Sequence, residues 1–158
     1  MSGFSAEWLA LREPLDLAAR NAAVEAAFFD CLPARPLRIL DLASGAGSTV
    51  AALDGRLPRK ADWLLTDHDP DLLKTAAARF EGAGRGNIEL RRVDLAADLE
   101  TLPFADVDAV TTSAFLDLVS EDFLVRLADI LALSGKPFLS GWLRVGRKAG
   151  LDTARLDG

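Results

Sequence analysis

The chain has 158 residues, with 18 basic and 24 acidic side chains, and its formal net charge is −6. This length predicts one domain, and a composition that is 50% hydrophobic and 27% charged is typical of a globular rather than a disordered protein. The acidic balance argues against a nucleic-acid partner.

The sequence shows no signal for export or membrane insertion. The N-terminal segment reaches an acidic side chain, Glu7, without the apolar core of a secretory signal. No apolar run approaches the roughly 20 residues of a membrane span. A single cysteine, Cys31, excludes an internal disulfide and a cysteine-rich zinc site. We therefore expect a cytoplasmic protein without a metal site, with Cys31 buried on an apolar helix.

Helical and strand-like segments alternate along the chain. Two helices are expected first, at residues 5–12 and 14–32. Five apolar segments then predict strands, at residues 37–43, 61–67, 87–94, 106–114 and 136–143. Apolar periodicity predicts helices between the strands, and capping residues mark their starts, such as Asp69 ahead of Pro70 and, in a later helix, Ser120.

This alternation predicts a doubly wound α/β fold, with a mostly parallel sheet of about five strands and helices on both faces. The expected organisation is a helical cap over residues 1–35, a Rossmann-like domain over residues 36–143 and a short tail over residues 144–158. Ligands of such sheets bind at the carboxyl ends of the strands, where the strand order reverses. The residues at the strand ends are therefore candidates for a functional site.

Glycines and carboxylates stand at three of these strand ends. The first strand runs through Asp41 into the turn ASGAG at residues 43–47, the second ends in Asp67, and the third ends in Asp94. Glycines let the backbone approach a ligand and free the amides at a helix start. A carboxylate after the second strand can accept hydrogen bonds from both hydroxyls of a ribose. A carboxylate after the third strand can accept a hydrogen bond from an exocyclic amine.

Structural roles alone could also account for these residues. Gly45 and Gly47 could serve only a tight turn between strand and helix, and Asp94 could only cap the turn after its strand. Asp67 could be a solvated loop acid. Asp41 lies in an apolar strand, where a lone carboxylate is costly, so we expect it to accept hydrogen bonds from the turn amides or to lie near a bound cation.

In this order the three segments resemble the signatures of class I S-adenosylmethionine-dependent methyltransferases. The glycine-rich signature of that family, D-x-G-x-G-x-G, stands here as DLASGAG at residues 41–47. The acid before a proline-started helix stands as LLTDHDPDLL at residues 64–73, and the acid–apolar pair stands as VDL at residues 93–95. The resemblance covers residues 36–143. It implies S-adenosylmethionine as cofactor and methyl transfer to an acceptor, for which a small molecule is favoured.

The resemblance also assigns cofactor-binding residues, one position at a time. They are Asp41, Ala43, Ser44, Gly45, Gly47, Asp67, His68, Asp94, Leu95 and Ser113. By that resemblance Gly45 and Gly47 would back the methionine part of the cofactor, and Asp67 would hold the ribose hydroxyls. Asp94 would face the adenine amine, with Leu95 packed against the ring. No residue stands out as a catalytic base.

Two features depart from the family pattern. Ala43 stands where the signature has its first glycine, and a positive φ at this position would cost alanine about 1 kcal/mol or more. The family's sheet usually has seven strands, whereas residues 144–158 alone follow the fifth predicted strand. Strand five would then be an exposed edge, and a homodimer through that edge is one expectation.

Two other functions remain open from the sequence. Residues 45–50, GAGSTV, partly match the dinucleotide signature G-x-G-x-x-G, and Asp67 follows Gly47 by 20 residues, as in NAD(P)-binding domains. Val50 at the third glycine position and the acid at Asp94 favour the methyltransferase. The other alternative is a truncated, non-catalytic module that binds a cofactor or a partner.

Overall fold

The structure is a computed structural model that describes residues 5–7, 10–11, 21–81, 86–113 and 119–141. Residues 6–7 and 10–11 are helical, and the helices with both ends in this part are α1 (Ala22–Asp30), α2 (Ser48–Leu53), α3 (Pro70–Phe80), α4 (Leu95–Asp98) and α5 (Glu121–Ser134). The strands are β1 (Leu37–Leu42), β2 (Ala61–Asp67), β3 (Ile88–Arg92), β4 (Ala109–Ser113) and β5 (Phe138–Gly141). Short 3₁₀ turns lie at Asp54–Arg56, Leu99–Thr101 and Phe104–Asp106.

The strands form one parallel sheet in the order β3-β2-β1-β4-β5. In the central strand, Leu40 of β1 is level with Leu64 of β2 and with Val110 of β4. The strand order reverses at β1, because the chain adds β2 and β3 on one side of it and β4 and β5 on the other. The predicted doubly wound α/β fold is confirmed.

Apolar side chains cover both faces of the sheet. Ile39 of β1 belongs to one cluster, which includes Phe28 of α1 and residues of α2 and α3. Leu40 belongs to the other, which includes Leu95 of α4 and Phe123 of α5. Neighbouring residues of β1 therefore serve opposite layers, which explains why this parallel strand has adjacent apolar residues at Ile39 and Leu40.

Capping residues set the ends of α3 and α5 as the sequence predicts. The Asp69 side chain accepts a hydrogen bond from the Asp71 amide at 2.9 Å, and the Ser120 hydroxyl accepts one from the Phe123 amide at 3.1 Å. Gly135 ends α5 with a left-handed backbone, at φ 66°. These local signals place both helix starts at the edge of the sheet where the strands end.

The N-terminal region differs from the prediction in two ways. A continuous helix over residues 14–32 is wrong, because Asn21 is extended (φ −94°, ψ 113°) and caps α1, which begins at Ala22. The Asn21 side chain accepts hydrogen bonds from the first helical amides at 2.9 and 3.0 Å. The expectation of a buried Cys31 is also wrong. Cys31 follows the last residue of α1 and is exposed, because it lies past the end of the helix.

The domain boundaries remain a prediction. The described part of the expected N-terminal cap, α1, packs on the sheet through Phe28. Most of the other cap residues, and residues 142–158, lie outside the described part of the chain.

The sheet as described ends in β3 on one side and in β5 on the other. β3 carries Glu89, Arg91 and Arg92, whereas β5, with the sequence FLSG, carries no charge. Charged side chains protect an edge strand from pairing with another chain. The expected homodimer through β5 has no direct observation here and stays a prediction.

Candidate functional site

Hydrogen bonds hold the loop after β1 against β2. The Ser44 amide donates to the Thr66 carbonyl at 2.7 Å, and the Thr66 amide donates to the Ser44 hydroxyl at 3.1 Å. The hydroxyls of Ser44 and Thr66 both donate to the Asp41 carbonyl, at 3.1 and 2.8 Å. Because these three residues are buried, the loop is fixed in place directly after Ala43.

Three residues of this loop have a left-handed backbone: Ala43 at φ 52°, Gly45 at φ 55° and Gly47 at φ 90°. Ala43 is the one non-glycine residue with positive φ in the described residues. The glycine that the family signature has at this position would adopt that conformation without strain, so the alanine carries a cost. A Cβ on Gly47 would lie 2.6 Å from Cε2 of Phe80, which gives this glycine a packing reason as well.

Asp67 joins the loop to the start of α3. Its Oδ2 accepts a hydrogen bond from the Gly45 amide at 2.8 Å, and its Oδ1 accepts one from the Asp69 amide at 2.9 Å. The side chain is buried, so the interpretation as a solvated loop acid is wrong. A carboxylate offers about four acceptor positions, so these two bonds leave room for a ligand's hydroxyls.

Asp41 is fully buried in β1, and its Oδ1 accepts a hydrogen bond from the Thr111 hydroxyl of β4 at 2.6 Å. The amides of Ser44, Gly45 and Gly47, expected as its donors, donate to other acceptors. The expectation that turn amides donate to Asp41 is therefore wrong for these three. The loop directs the amides of Ser44 and Gly45 toward β2 and the amide of Gly47 toward the Ser44 carbonyl.

Ser113, at the end of β4, contacts the helix that follows the glycine loop. Its Oγ lies 2.5 Å from Oγ1 of Thr49 on α2, and either hydroxyl can be the donor. Thr49 is buried. Ser113 thus braces α2, and the chain after it, residues 114–118, lies outside the described residues.

A cleft of about 270 Å³ opens at the carboxyl ends of β1, β2 and β3. Its lining residues are Ala43, Asp67, His68, Val93, Asp94, Leu95, Ala96, Val119, Ser120 and Phe123. The cleft is close to the lower end of the volume range of small-ligand pockets, which is about 300–1,000 Å³. It lies where the strand order reverses, the place where doubly wound sheets bind ligands.

The wall after β3 presents one carboxylate beside apolar side chains. Asp94 is exposed, and its side chain accepts a hydrogen bond from the Ala96 amide at 3.1 Å as the cap of α4. Leu95 is buried beside it. His68 is exposed at the end of β2, and its carbonyl accepts a hydrogen bond from Nε of Arg92 at 3.2 Å. Carboxylate, apolar surface and imidazole therefore meet at one opening.

The structure divides the ten predicted residues into two groups. The residues that line the cleft are Ala43, Asp67, His68, Asp94 and Leu95. The other five form the glycine loop or lie beside it in β1 and against α2: Asp41, Ser44, Gly45, Gly47 and Ser113. Their roles toward a cofactor remain predictions.

The sequence interpretation missed the opposite wall. Val119, Ser120 and Phe123 line the cleft, although the sequence predicts Ser120 only as a helix cap and Phe123 only as part of the apolar stripe of that helix. One signal could have found them: a helix that follows a parallel strand starts at the same edge as the strand ends. Val93 and Ala96, the other lining residues without a predicted role, flank the predicted pair Asp94–Leu95.

The described residues show neither a helix long and apolar enough to cross a membrane nor a group of three or more His, Cys, Asp or Glu side chains placed to hold a metal ion.

A family profile described as a methyltransferase domain matches residues 39–135. The chain belongs to this methyltransferase family. The matched segment is more than half of the chain and contains the glycine loop, Asp67 and Asp94. It confirms the resemblance to class I S-adenosylmethionine-dependent methyltransferases and, at the level of the family, the cofactor that the resemblance implies. The match also favours the methyltransferase over the dinucleotide-binding alternative, which depends on the same residues.

Some solved structures similar to this chain are described as methyltransferases. An S-adenosylmethionine-dependent methyltransferase from Aquifex aeolicus is 20% identical with a TM-score of 0.62, covering 94% of this chain and 78% of that one. The CurJ carbon methyltransferase is 16% identical with a TM-score of 0.52, covering 73% of this chain and 35% of that one. These two likenesses show the fold.

A third structure has higher identity. The N-terminal domain of EvdMO1, solved in the presence of SAH and D-fucose, is 30% identical with a TM-score of 0.49, covering 73% of this chain and 45% of that one. The chain thus spans less than half of CurJ and of this EvdMO1 domain. No curated protein matches the chain in sequence.

Proposed function

We propose that the chain binds S-adenosylmethionine in the cleft at the ends of β1, β2 and β3 and transfers its methyl group to a small-molecule acceptor. The observation that carries this proposal is the convergence of Asp67, Asp94 and Ala43 of the glycine loop on one cleft, in a chain of the methyltransferase family. The net charge of −6 supports a small acceptor over a nucleic acid.

The chemistry of the cleft fits the nucleoside part of the cofactor. Val93, Leu95 and Phe123 offer apolar surface to a flat base. The Asp94 carboxylate is exposed at the same opening and can accept a hydrogen bond from an exocyclic amine. Asp67 keeps acceptor positions for ribose hydroxyls beside its two bonds to backbone amides.

The glycine loop is the proposed site for the methionine part. Asp41 is fully buried in β1 ahead of this loop, and its carboxyl, when ionised, would favour a cationic group nearby. When bound here, S-adenosylmethionine would supply its sulfonium-bound methyl group to the acceptor, and S-adenosylhomocysteine would leave as the neutral thioether. The chain orients the reactants, because Asp67 and Asp94 hold the nucleoside end while the buried hydrogen bonds of Ser44 and Thr66 keep the loop from moving.

Calorimetric titration of the purified chain with S-adenosylmethionine, S-adenosylhomocysteine and NAD tests this proposal. We expect micromolar binding of the first two ligands and no binding of NAD. Binding of NAD alone would support the dinucleotide-binding alternative. A folded chain that binds none of the three would support the non-catalytic module.

Asp94→Asn isolates the proposed recognition of the amine from the capping of α4. Asparagine caps helices about as well as aspartate, so α4 stays capped while the charge is lost. Hydrogen bonds to charged groups are roughly twice as strong as neutral ones, so we expect S-adenosylhomocysteine to bind about tenfold more weakly. Asp69→Asn is the matched control, since Asp69 caps α3 and does not line the cleft. Equal losses in both variants would contradict the role of Asp94.

A further inference from the structure

Arg126 of α5 makes three hydrogen bonds to the segment that follows β3. Its Nη1 donates to the Ala96 carbonyl at 2.7 Å, and its Nε and Nη2 donate to the two carboxylate oxygens of Glu100 at 2.9 and 2.6 Å. This bidentate arrangement matches the planar fork of a guanidinium, which lysine cannot reproduce. By contrast, Arg91 and Glu89 make a single contact at 3.3 Å.

Arg126 links the two walls of the cleft. Ala96 belongs to the wall after β3, together with Asp94 and Leu95. Phe123 belongs to the opposite wall and lies three residues before Arg126 on α5, so the two side chains are neighbours on the helix surface. The Arg126 guanidinium therefore bonds the helix of one wall directly to the backbone of the other.

We infer that Arg126 is a positioning residue that sets the separation of the two cleft walls and, through it, the affinity for the nucleoside part of the cofactor. This inference rests on the proposed function. Arg126 is not part of the cleft lining, so it acts on a ligand through Ala96 and Phe123. Without the hydrogen bonds of Arg126 the two walls separate more often. The apparent affinity for the nucleoside then falls with the fraction of chains in the binding-competent arrangement.

Two properties are expected of this role in variants that the thermal melts show to be folded at the titration temperature. The loss of affinity is equal for adenosine and for S-adenosylhomocysteine, because both ligands place their nucleoside between the same walls. Arg126→Lys rescues part of the loss, because lysine keeps the charge and can donate one bond but not the fork.

The experiment is a set of titrations with adenosine and S-adenosylhomocysteine. They use the wild type, Arg126→Ala, Arg126→Lys, Glu100→Gln and the combination of Arg126→Ala with Glu100→Gln, with thermal melts to confirm that each chain is folded. We expect Arg126→Ala to weaken both ligands about tenfold and Arg126→Lys to fall between it and the wild type. As a single substitution Glu100→Gln weakens binding, but combined with Arg126→Ala it causes no further loss of affinity. The control, Arg91→Ala, changes neither affinity.

The outcomes distinguish this inference from the proposed function. A wild-type chain that binds neither ligand overturns both. A wild type that binds, with Arg126→Ala binding equally well, overturns the positioning role alone, and so does a loss confined to S-adenosylhomocysteine. If Arg126→Ala does not fold, unchanged affinities in Arg126→Lys and Glu100→Gln overturn it.

Discussion

Replacing Ala43 by glycine is expected to leave the chain as stable or to stabilise it, although alanine-to-glycine changes usually destabilise. At φ 52° an alanine carries a strain of about 1–2 kcal/mol that glycine does not have. Glycine loses about 0.5–1 kcal/mol through the greater freedom of the unfolded chain. The half-buried methyl group contributes less than about 0.8 kcal/mol. The middle of each range gives a net gain of about 0.3 kcal/mol, so the expected change is close to neutral.

Ala46→Gly is the matched control for this prediction. Ala46 lies in the same loop and is also half-buried, but its φ is not positive. The same losses of chain entropy and methyl burial apply without any relief of strain, so this variant should lose about 1 kcal/mol. The difference of about 1–2 kcal/mol between the two variants isolates the strain at Ala43.

The assay is urea unfolding followed by tryptophan fluorescence and circular dichroism, with the slopes compared so that changes in the unfolded state are recognised. Thermal melts give a second measure, since 1 kcal/mol corresponds to about 2–4 °C in a domain of this size. Equal destabilisation by Ala43→Gly and Ala46→Gly would refute the reasoning, because it would mean that the left-handed alanine carries no strain.

Three other predictions follow from the contacts of the site. Gly47→Ala should lose more than about 1–2 kcal/mol in urea unfolding, because its φ is 90° and its Cβ would lie 2.6 Å from a phenylalanine ring. Gly55→Ala, with no atom near the new methyl group, should be neutral or stabilising, and a similar loss there would contradict the argument. Asp67→Asn should weaken S-adenosylhomocysteine at least about tenfold in calorimetry and also lower stability, because one of two backbone amides loses its acceptor. Asp62→Asn is the control, because Asp62 accepts a hydrogen bond from the Asn87 amide and does not line the cleft. It should leave the affinity for S-adenosylhomocysteine unchanged, and a loss equal to that of Asp67→Asn would count against the proposed ribose role of Asp67. Hydrogen bonding from the α5 arginine lowers the pKa of Glu100 from 4.5, so the ion pair stabilises the fold above that pH and is lost as the pH falls through the lowered pKa. The stability gap between the wild type and Glu100→Gln, measured by urea unfolding, should therefore close in acid, and a constant gap would contradict this.

Local signals made much of the fold predictable. The acid and proline at Asp69–Pro70 and the cap at Ser120 mark helix starts that the structure confirms. Apolar runs identify the strands, and parallel connectivity places their ends at one edge. This is why the sequence alone predicts that Asp67 and Asp94 lie at one site.

Non-local contacts limited the rest. The hydroxyl partner of Asp41 is Thr111, 70 residues away, and no local pattern indicates that pairing. The sequence could not distinguish a core role from a cleft role for Phe123, because an apolar side chain fits both. The conformation of Ala43 depends on bonds between Ser44 and Thr66, so the sequence could state only what a positive φ would cost.

The two walls of the cleft come from different parts of the chain, and this determines when a ligand can begin to stabilise a chain during its synthesis. Ala43, Asp67 and Asp94 come from the first three strands, whereas Phe123 comes from a helix that follows β4. A nascent chain with only β1, β2 and β3 paired carries both carboxylates but lacks the second wall. The proposed cofactor can therefore stabilise the chain by mass action only after α5 has left the ribosome and docked, so the ligand selects chains in which α5 is in place.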